Sequence, residues 1–370
     1  MSVIWFDASR LISRRHAAGP TGIDQVELSI LRTILQTPEL AARTHVMRQW
    51  QGRLWDVPQS VMRRMLKRLT RRWIMGETRR RWPLPGLLSR PPAGGLYLNL
   101  SHQGLEKPWL LPHLTGRGMR ASIYLHDLIP IAYPETTRPE QPERHHQRIQ
   151  NIVQSGARIT CASDQTRRDL ITHCTAQGWE CPDVAVAPPP VDVPLVYGGK
   201  GGKDFFLAVG TLEPRKNYDF LAQIWQSQRS LPQLLIIGQK GWQGQEIANR
   251  LAEVPGIRVM TGLNSRQVVQ LMHDATALLQ PSMAEGWGLP PVEALTLGTP
   301  AITADLPIYH ESLRGHHLGL PFDPRAWAEA LTELGDINSD LSRHCRANAV
   351  YFRPVPYEEA VTEIMQSLFR

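Results

Sequence analysis

The chain has 370 residues, 42% of them hydrophobic, and a formal net charge of +7; that length is comfortable for two domains rather than one core. It has no run of about 18 apolar residues, so no transmembrane helix is expected, and its N-terminus enters a strand pattern without the basic–apolar–small order of a signal peptide. Nine basic residues and one acid, Glu77, lie between Val61 and Trp82. The rest of the chain is therefore close to neutral, and a general nucleic-acid-binding surface is excluded. Cys161, Cys174, Cys181 and Cys345 form no C-x-x-C pair, which gives no metal or disulfide framework and points to the cytoplasm.

Residues 3–7 read as a first strand. Arg10, Arg14, Arg15 and His16 follow, then a glycine loop through Gly22 to Asp24, and an amphipathic run over 25–35. Residues 61–74 predict a helix: at ~100° per residue, Val61, Met62, Met65, Leu66, Leu69 and Trp73 fall within an arc of about 140°. Arg63, Arg64, Lys67, Arg68 and Arg71 fill the opposite face, which is nearly all positive, and Arg72 follows them beside Trp73. That pattern suits an interfacial helix on anionic lipid, with Trp73 and the basic residues in contact. A core helix with a solvated outer face is the alternative. The basic segment is bounded at 61–90.

Residues 95–100 and 121–126 read as buried parallel strands. The second runs into His126 and Asp127, and function in open α/β sheets gathers where strands end; a structural hydrogen bond is the other use of a strand-end histidine. Residues 157–163 predict another strand, with Ser163 opening a helix, and 183–187 one more. A proline-then-glycine stretch follows and marks a linker. The expected organisation is a domain over 1–190, a linker over 191–203, a second domain over 204–350 and a terminal helical segment over 351–370.

The second half restarts the strand–helix alternation with a strand over 205–210, ending on Gly210. Its loop, Thr211 to Asn217, carries Arg215 and Lys216 side by side, suited to a diphosphate. Further strands are predicted at 234–238 and 258–263, ending on Leu263, and a helix at 265–274. Residues 277–280 form a strand, 281–289 a loop with two glycines, and 290–297 a helix that starts on two prolines and stops at Gly298. A strand, a glycine loop and a helix N-terminus make an anion cradle. Glu285 and Glu293 flank it. A phosphorylated sugar would use both features, phosphates on N–H groups and hydroxyls on carboxylates; two separately solvated glutamates are the alternative.

The run Glu285-Gly-Trp-Gly-Leu-Pro-Pro-Val-Glu293, closed by Gly298-Thr-Pro300, closely resembles the E-x7-E signature of retaining, nucleotide-sugar-dependent glycosyltransferases of family 4. The resemblance implies the GT-B fold: two Rossmann-like α/β domains facing across a cleft, with the C-terminal helix crossing back to the first. It implies that Glu285 contacts donor-sugar hydroxyls, that Glu293 holds the ribose, and that Gly286, Trp287, Gly288 and Leu289 face sugar and phosphate. Gly22 lies in a Thr-Gly-Ile element that resembles the glycine loop after the family's first strand, near the donor phosphates and the acceptor; Gly210 and Thr211 open a segment that resembles its phosphate-binding loop, and Leu263 lies in the segment that resembles the one reading the base. His126 matches the histidine beside the transferring sugar, and Asp127 follows it in the same motif. Lys216 matches the phosphate-binding lysine. Thr211 stands where the family has an early arginine, so Arg215 is expected to act in its place.

The implied activity is a retaining hexosyltransferase that needs no metal or other cofactor, in line with the absence of an Asp-x-Asp motif. The expected donor is a nucleotide sugar, with a lean to GDP-mannose and a UDP-sugar as the alternative. The expected acceptor is lipid-linked or an oligosaccharide, as in lipopolysaccharide or other surface-polysaccharide assembly, with the protein peripheral on the inner face of the cell membrane. A non-catalytic GT-B scaffold at the membrane is the rival reading.

Overall fold

The computed structural model describes residues 3–17, 19–76, 94–194, 196 and 204–369. The chain divides into two compact units. The first comprises Met1–Ile131, Glu140–Pro190 and Pro356–Arg370, and the second Ala132–Pro139 and Val191–Val355. Residues 195 and 197–203 of the expected linker, and residues 77–90 of the basic segment, lie outside the described residues.

Unit 1 holds β1 (Ile4–Asp7), β2 (Thr44–Trp50), β3 (Arg53–Val57), β4 (Gly95–Asn99), β5 (Met119–Leu125), β6 (Arg158–Cys161) and β7 (Val184–Val186). They form one sheet in the order β3-β2-β1-β4-β5-β6-β7. Every neighbouring pair is parallel except the β2–β3 hairpin. Parallel strands are covered on both faces, which explains their uninterrupted apolar runs. One face, with Ile4, Phe6, Leu96 and Leu98, packs against the helices Gly22–Gln36, Gln59–Met75 and Tyr357–Phe369; the other carries Trp5, Tyr97, Ile123 and Leu125. The terminal helix belongs to this unit: it buries Val361, Ile364, Met365 and Leu368, and Thr160 Oγ1 meets Ser367 Oγ at 3.0 Å.

The basic helix spans Gln59–Met75, and Gly76 at φ 72° ends it in the left-handed conformation that favours glycine. Its apolar side does not face lipid. Met62, Met65, Leu66, Leu69 and Trp73 are all buried in the core of unit 1. Trp73 is 1% exposed and donates its indole N–H to the Ala17 carbonyl at 3.3 Å. Arg72 is half-buried and donates to the Ala17 and His16 carbonyls. The expectation that Trp73 touches a membrane is therefore corrected: the fold buries it, and Trp73 and Arg72 both hold the segment that follows the helix Ser9–Ser13. Arg63, Arg64, Lys67 and Arg71 are exposed, and Arg68 is half-buried.

Unit 2 holds β8 (Phe205–Val209), β9 (Gln233–Ile237), β10 (Ile257–Met260), β11 (Ala277–Gln280), β12 (Ala301–Ala304) and β13 (Leu318–Leu320). All are parallel, in the order β10-β9-β8-β11-β12-β13. The chain starts in the middle of the sheet and builds outward twice, so the order reverses between β8 and β11. Loops leaving the carboxyl ends of those two strands diverge around a crevice, the usual ligand position in such sheets. In unit 1 the same reversal falls between β1 and β4. No described helix is long and apolar enough to cross a membrane.

Because Trp73 fills core volume, Trp73→Ala should lower the stability of unit 1 by about 3–5 kcal/mol, whereas Lys67→Glu should change it by less than about 0.5 kcal/mol. Chemical denaturation followed by circular dichroism checks this. A near-neutral Trp73→Ala would return that side chain to the surface.

Candidate functional site

The two loops at the unit 2 reversal are joined directly, since the Met283 N–H donates to the Arg215 carbonyl at 2.9 Å. After β8 the chain makes one 3-10 turn, Pro214–Lys216, and Asn217 at φ 54° passes it into the helix Tyr218–Ser227. This turn presents Arg215 and Lys216 to the loop after β11. Backbone contact braces it from the β9 side: a Cβ at Gly238 would come within 1.8 Å of the Gly210 carbonyl oxygen. Gly288 is required on the other loop. It sits at φ 80°, and a Cβ there would lie 2.7 Å from the Tyr309 ring.

Glu285 is the centre of the arrangement. Its Oε1 accepts from Lys216 Nζ at 2.5 Å, Ser282 Oγ at 2.7 Å and Gln280 Nε2 at 3.1 Å, and its Oε2 accepts from Arg215 Nη1 at 2.8 Å. Arg215 also donates to the Ala284 carbonyl at 2.6 Å and, through Nη2, to Glu213 at 2.8 Å. The Glu285 and Lys216 side chains are 8% and 7% exposed. Burial alone would raise the Glu285 pKa, but Arg215, Lys216 and the Ser282 hydroxyl outweigh it and hold the carboxyl well below the usual range. Burial lowers the Lys216 pKa, with Glu285 opposing.

Beside this cluster lies a row of donors. Among the described residues, the N–H groups of Gly286, Trp287, Gly288 and Leu289 make no hydrogen bond to the chain. They lead into the helix Leu289–Thr296, whose next two residues are Pro290 and Pro291. Those prolines carry no N–H, so the unbonded donors lie in the loop more than in the first helical turn. Glu293 is half-buried on that helix, and Thr211 and Gly210 are half-buried in the facing loop. Leu263 follows β10 on the same edge of the sheet and, like Val209 and Met260, packs against the buried cluster that includes Ile237 and Leu278. Trp287 packs with Tyr309 and Val292.

The remaining expected residues belong to unit 1. His126 follows β5 and is 8% exposed. Its Nε2 lies 2.7 Å from the Leu100 carbonyl and so carries the proton. Burial pushes its pKa down to about 4, against the Leu100 carbonyl and Asp127. The ring is thus neutral near pH 7, with Nδ1 as a lone-pair acceptor. Gly22 opens the helix Gly22–Gln36, whose N-terminus is already served by a capping box between Thr21 and Asp24. Asp24 in turn takes Arg10 at 2.9 Å and Arg14 at 2.6 Å.

Sequence reasoning missed several polar groups. Gln280, Ser282 and Glu213 complete the cluster around Arg215 and Glu285; a glutamine closing an otherwise apolar strand was the available signal for Gln280. In unit 1, Asp7 at the end of β1 is fully buried and accepts from Ser9, from Gln49 Nε2 at 2.7 Å and from the Tyr97 hydroxyl at 2.5 Å. Burial raises its pKa. No three His, Cys, Asp or Glu side chains gather at metal-binding positions among the described residues.

A model of the family of glycosyl transferases group 1 matches residues 196–350, within unit 2. An O-antigen chain mannosyltransferase of Salmonella typhimurium is 29% identical over 150 residues, 39% of this chain and 42% of that protein. O-antigen chain mannosyltransferase B of Escherichia coli is 24% identical over 212 residues, 53% of this chain and 55% of that protein. The matches thus span about half the length of these curated relatives or less. Among solved structures, the Alr3699/HepE protein of Anabaena in complex with UDP and glucose superposes with a TM-score of 0.66 at 12% identity, covering 100% of this chain and 99% of that one. Sucrose-phosphate synthase of Thermosynechococcus elongatus gives 0.62 at 15% identity, covering 99% and 98%. The fold is GT-B, and the match to the glycosyl transferases group 1 model falls within the C-terminal unit.

Removing one partner of a buried ion pair leaves an uncompensated charge. Lys216→Ala and Glu285→Ala should each cost unit 2 about 3 kcal/mol, with the double variant costing less than the two together. The pH sign follows from the depressed Glu285 pKa. Its contribution is present above the unfolded carboxylate value of about 4.3 and is lost as pH falls toward the lower folded value. The stability gap between the wild type and Glu285→Gln should therefore be widest near pH 7 and should narrow below about pH 4. Denaturation curves at several pH values measure it; a gap that widens in acid would contradict the ion-pair assignment.

Proposed function

We propose that this chain, with its glycosyl transferases group 1 domain on a GT-B fold, is a retaining, metal-independent glycosyltransferase that moves a sugar from a nucleotide sugar to a lipid-linked or oligosaccharide acceptor in surface-polysaccharide synthesis. Mannose is the sugar that the names of the curated relatives favour, with GDP-mannose as the donor in our reading. The observation that carries the reading is the arrangement in unit 2: two cations and four successive unbonded N–H groups around one carboxylate.

In this reading the diphosphate oxygens take the N–H groups of Gly286 to Leu289 together with the Lys216 ammonium and the Arg215 guanidinium. The bond from the anomeric carbon to the diphosphate breaks while the acceptor oxygen bonds to the same face of that carbon. The acceptor's proton passes to the departing phosphate. Negative charge grows on the leaving group, and preformed donors and cations stabilise it without reorganising. Glu285 is held fully ionised, so it suits accepting sugar hydroxyls better than giving up a proton. Glu293 holds ribose hydroxyls. In unit 1 the neutral His126, its tautomer fixed by the Leu100 carbonyl, can orient a sugar hydroxyl through Nδ1. The exposed Arg63, Arg64, Lys67 and Arg71 supply attraction to an anionic membrane surface, by charge alone because the helix's apolar side is occupied. A UDP-sugar is the alternative donor, prompted by the UDP and glucose bound in the Anabaena neighbour.

A thermal-shift screen with GDP, UDP, ADP and their sugar conjugates, without added metal and then with a chelator, tests the reading. A ligand at 100 times its dissociation constant should stabilise by ~2.7 kcal/mol, a shift of roughly a few degrees. Guanine nucleotides should give it, unchanged by the chelator, and Lys216→Ala and Glu285→Ala should each abolish transfer in folded protein. Silence to every nucleotide would favour a non-catalytic scaffold, and retained transfer in both variants would overturn the site.

A further inference from the structure

The β2–β3 hairpin projects beyond the carboxyl edge of the unit 1 sheet. Asp7, the last residue of β1, is level with Met47, and β2 runs on to Trp50 before the turn at Gln51 and Gly52. Across the hairpin Arg48 faces Trp55 and Trp50 faces Arg53. Side chains alternate along a strand, so Arg48, Trp50, Arg53 and Trp55 share one face. The indoles of Trp50 and Trp55 are 5.4 Å apart at 57°, and the Arg48 guanidinium lies 4.9 Å from the centre of the Trp50 ring. Trp50 is 47% exposed and is the one exposed tryptophan among the described residues.

Cations collect beside this face. Burial and the nearby Arg15 guanidinium both lower the Arg48 pKa, and Arg15 and Arg72 both act on His16. Arg15 donates to the Ile12 carbonyl at 2.8 Å, and Arg72 to the carbonyls of Ala17 and His16. None of Arg15, Arg48 and Arg72 has a carboxylate partner among the described residues. Crowded like charges without a counter-ion repel, which a merely soluble surface would relieve by spacing or mixing signs. Helix-end stabilisation accounts for Arg72 at the last turn of its helix, but not for Arg15 or Arg48. Protection of a sheet edge calls for charge on β3, the edge strand, and gives no reason to leave Trp50 uncovered on β2.

We propose that the tip of the β2–β3 hairpin, with Arg48 and Arg53 on its face and Arg15 beside it, is a binding site for a phosphorylated saccharide. The phosphate sits on the guanidinium groups, whose forked donors match its oxygens, and the C–H face of the sugar stacks on Trp50. The site lies wholly within unit 1 and does not depend on the transferase reading. If that reading also holds, the ligand is the phosphate-linked sugar of the acceptor.

The test is calorimetric titration of the full chain with mannose 1-phosphate, alongside mannose, GMP and vesicles containing phosphatidylglycerol. Arg15→Gln with Arg48→Gln should weaken mannose 1-phosphate binding at least tenfold, and Trp50→Ala about tenfold. Trp50→Tyr, which keeps a ring, should recover most of that loss. Lys216→Ala, in the other unit, should leave this binding in place, which separates the site from the nucleotide-sugar site. The proposal fails if affinity is unchanged in the arginine and Trp50 variants, or is lost only with Lys216→Ala. It fails also if GMP binds more tightly through Trp50, or if vesicles bind while mannose 1-phosphate does not.

Discussion

One carboxylate, Glu285, holds together the loops at the carboxyl edge of unit 2. It comes from the loop after β11, while both of its cations come from the loop after β8. A buried ionised carboxylate is costly unless it is paired and hydrogen-bonded. This one has Arg215, Lys216, Ser282 and Gln280, so each oxygen is satisfied and the charge is retained. The bridge ties two loops that would otherwise diverge, and it fixes where their N–H groups point. The donor row at Gly286 to Leu289 is therefore positioned by the same ion pairs that flank it.

The topology explains why these loops are neighbours at all. A parallel sheet that starts in its middle must leave one pair of adjacent strands whose exits run to opposite sides, and in unit 2 that pair is β8 and β11. Unit 1 repeats the plan with β1 and β4, and near those strand ends Asp7, Gln49, Tyr97 and Asn99 are bonded to one another. The same architecture thus gives two different edges. One offers unbonded N–H groups to an anion. The other carries buried polar side chains that bond to one another.

Much of this was legible from residue patterns. The strand at 277–280, the helix at 265–274 and the terminal helix stood out because apolar periodicity and caps agree there. The E-x7-E segment carried the fold class as well as the motif. The hairpin Thr44–Trp50 and Arg53–Val57 was not legible, because its strands mix arginine, glutamine and histidine with tryptophan and show no clean alternation. The basic helix was legible as a helix but not in its orientation. Its amphipathic pattern fits a lipid surface and a protein core equally well, and only the packing of Trp73 and Leu69 against unit 1 decides between them. Likewise the spacing of Glu285 and Glu293 named the glutamates without revealing that Glu285 is clamped by cations, since that depends on which loops the sheet order brings together.

That clamp bears on how a diphosphate could be held. Glu213 and Glu285 balance Arg215 and Lys216, so the quartet is neutral as it stands. A neutral cluster attracts an anion weakly from a distance, and the unbonded N–H row must make the first favourable contacts. Once phosphate oxygens approach, each cation can exchange part of its bond to Glu285 for one to phosphate, at little cost because the new bond is also charge-assisted. Glu285 then needs other donors for its oxygens, and sugar hydroxyls are donors of the right kind. A bare diphosphate would leave the carboxylate under-satisfied beside a like charge, whereas a diphosphate carrying a sugar supplies both partners. In the proposed reaction the arrangement would therefore discriminate for the intact nucleotide sugar over its leaving group, and would favour release of the diphosphate after the sugar has gone.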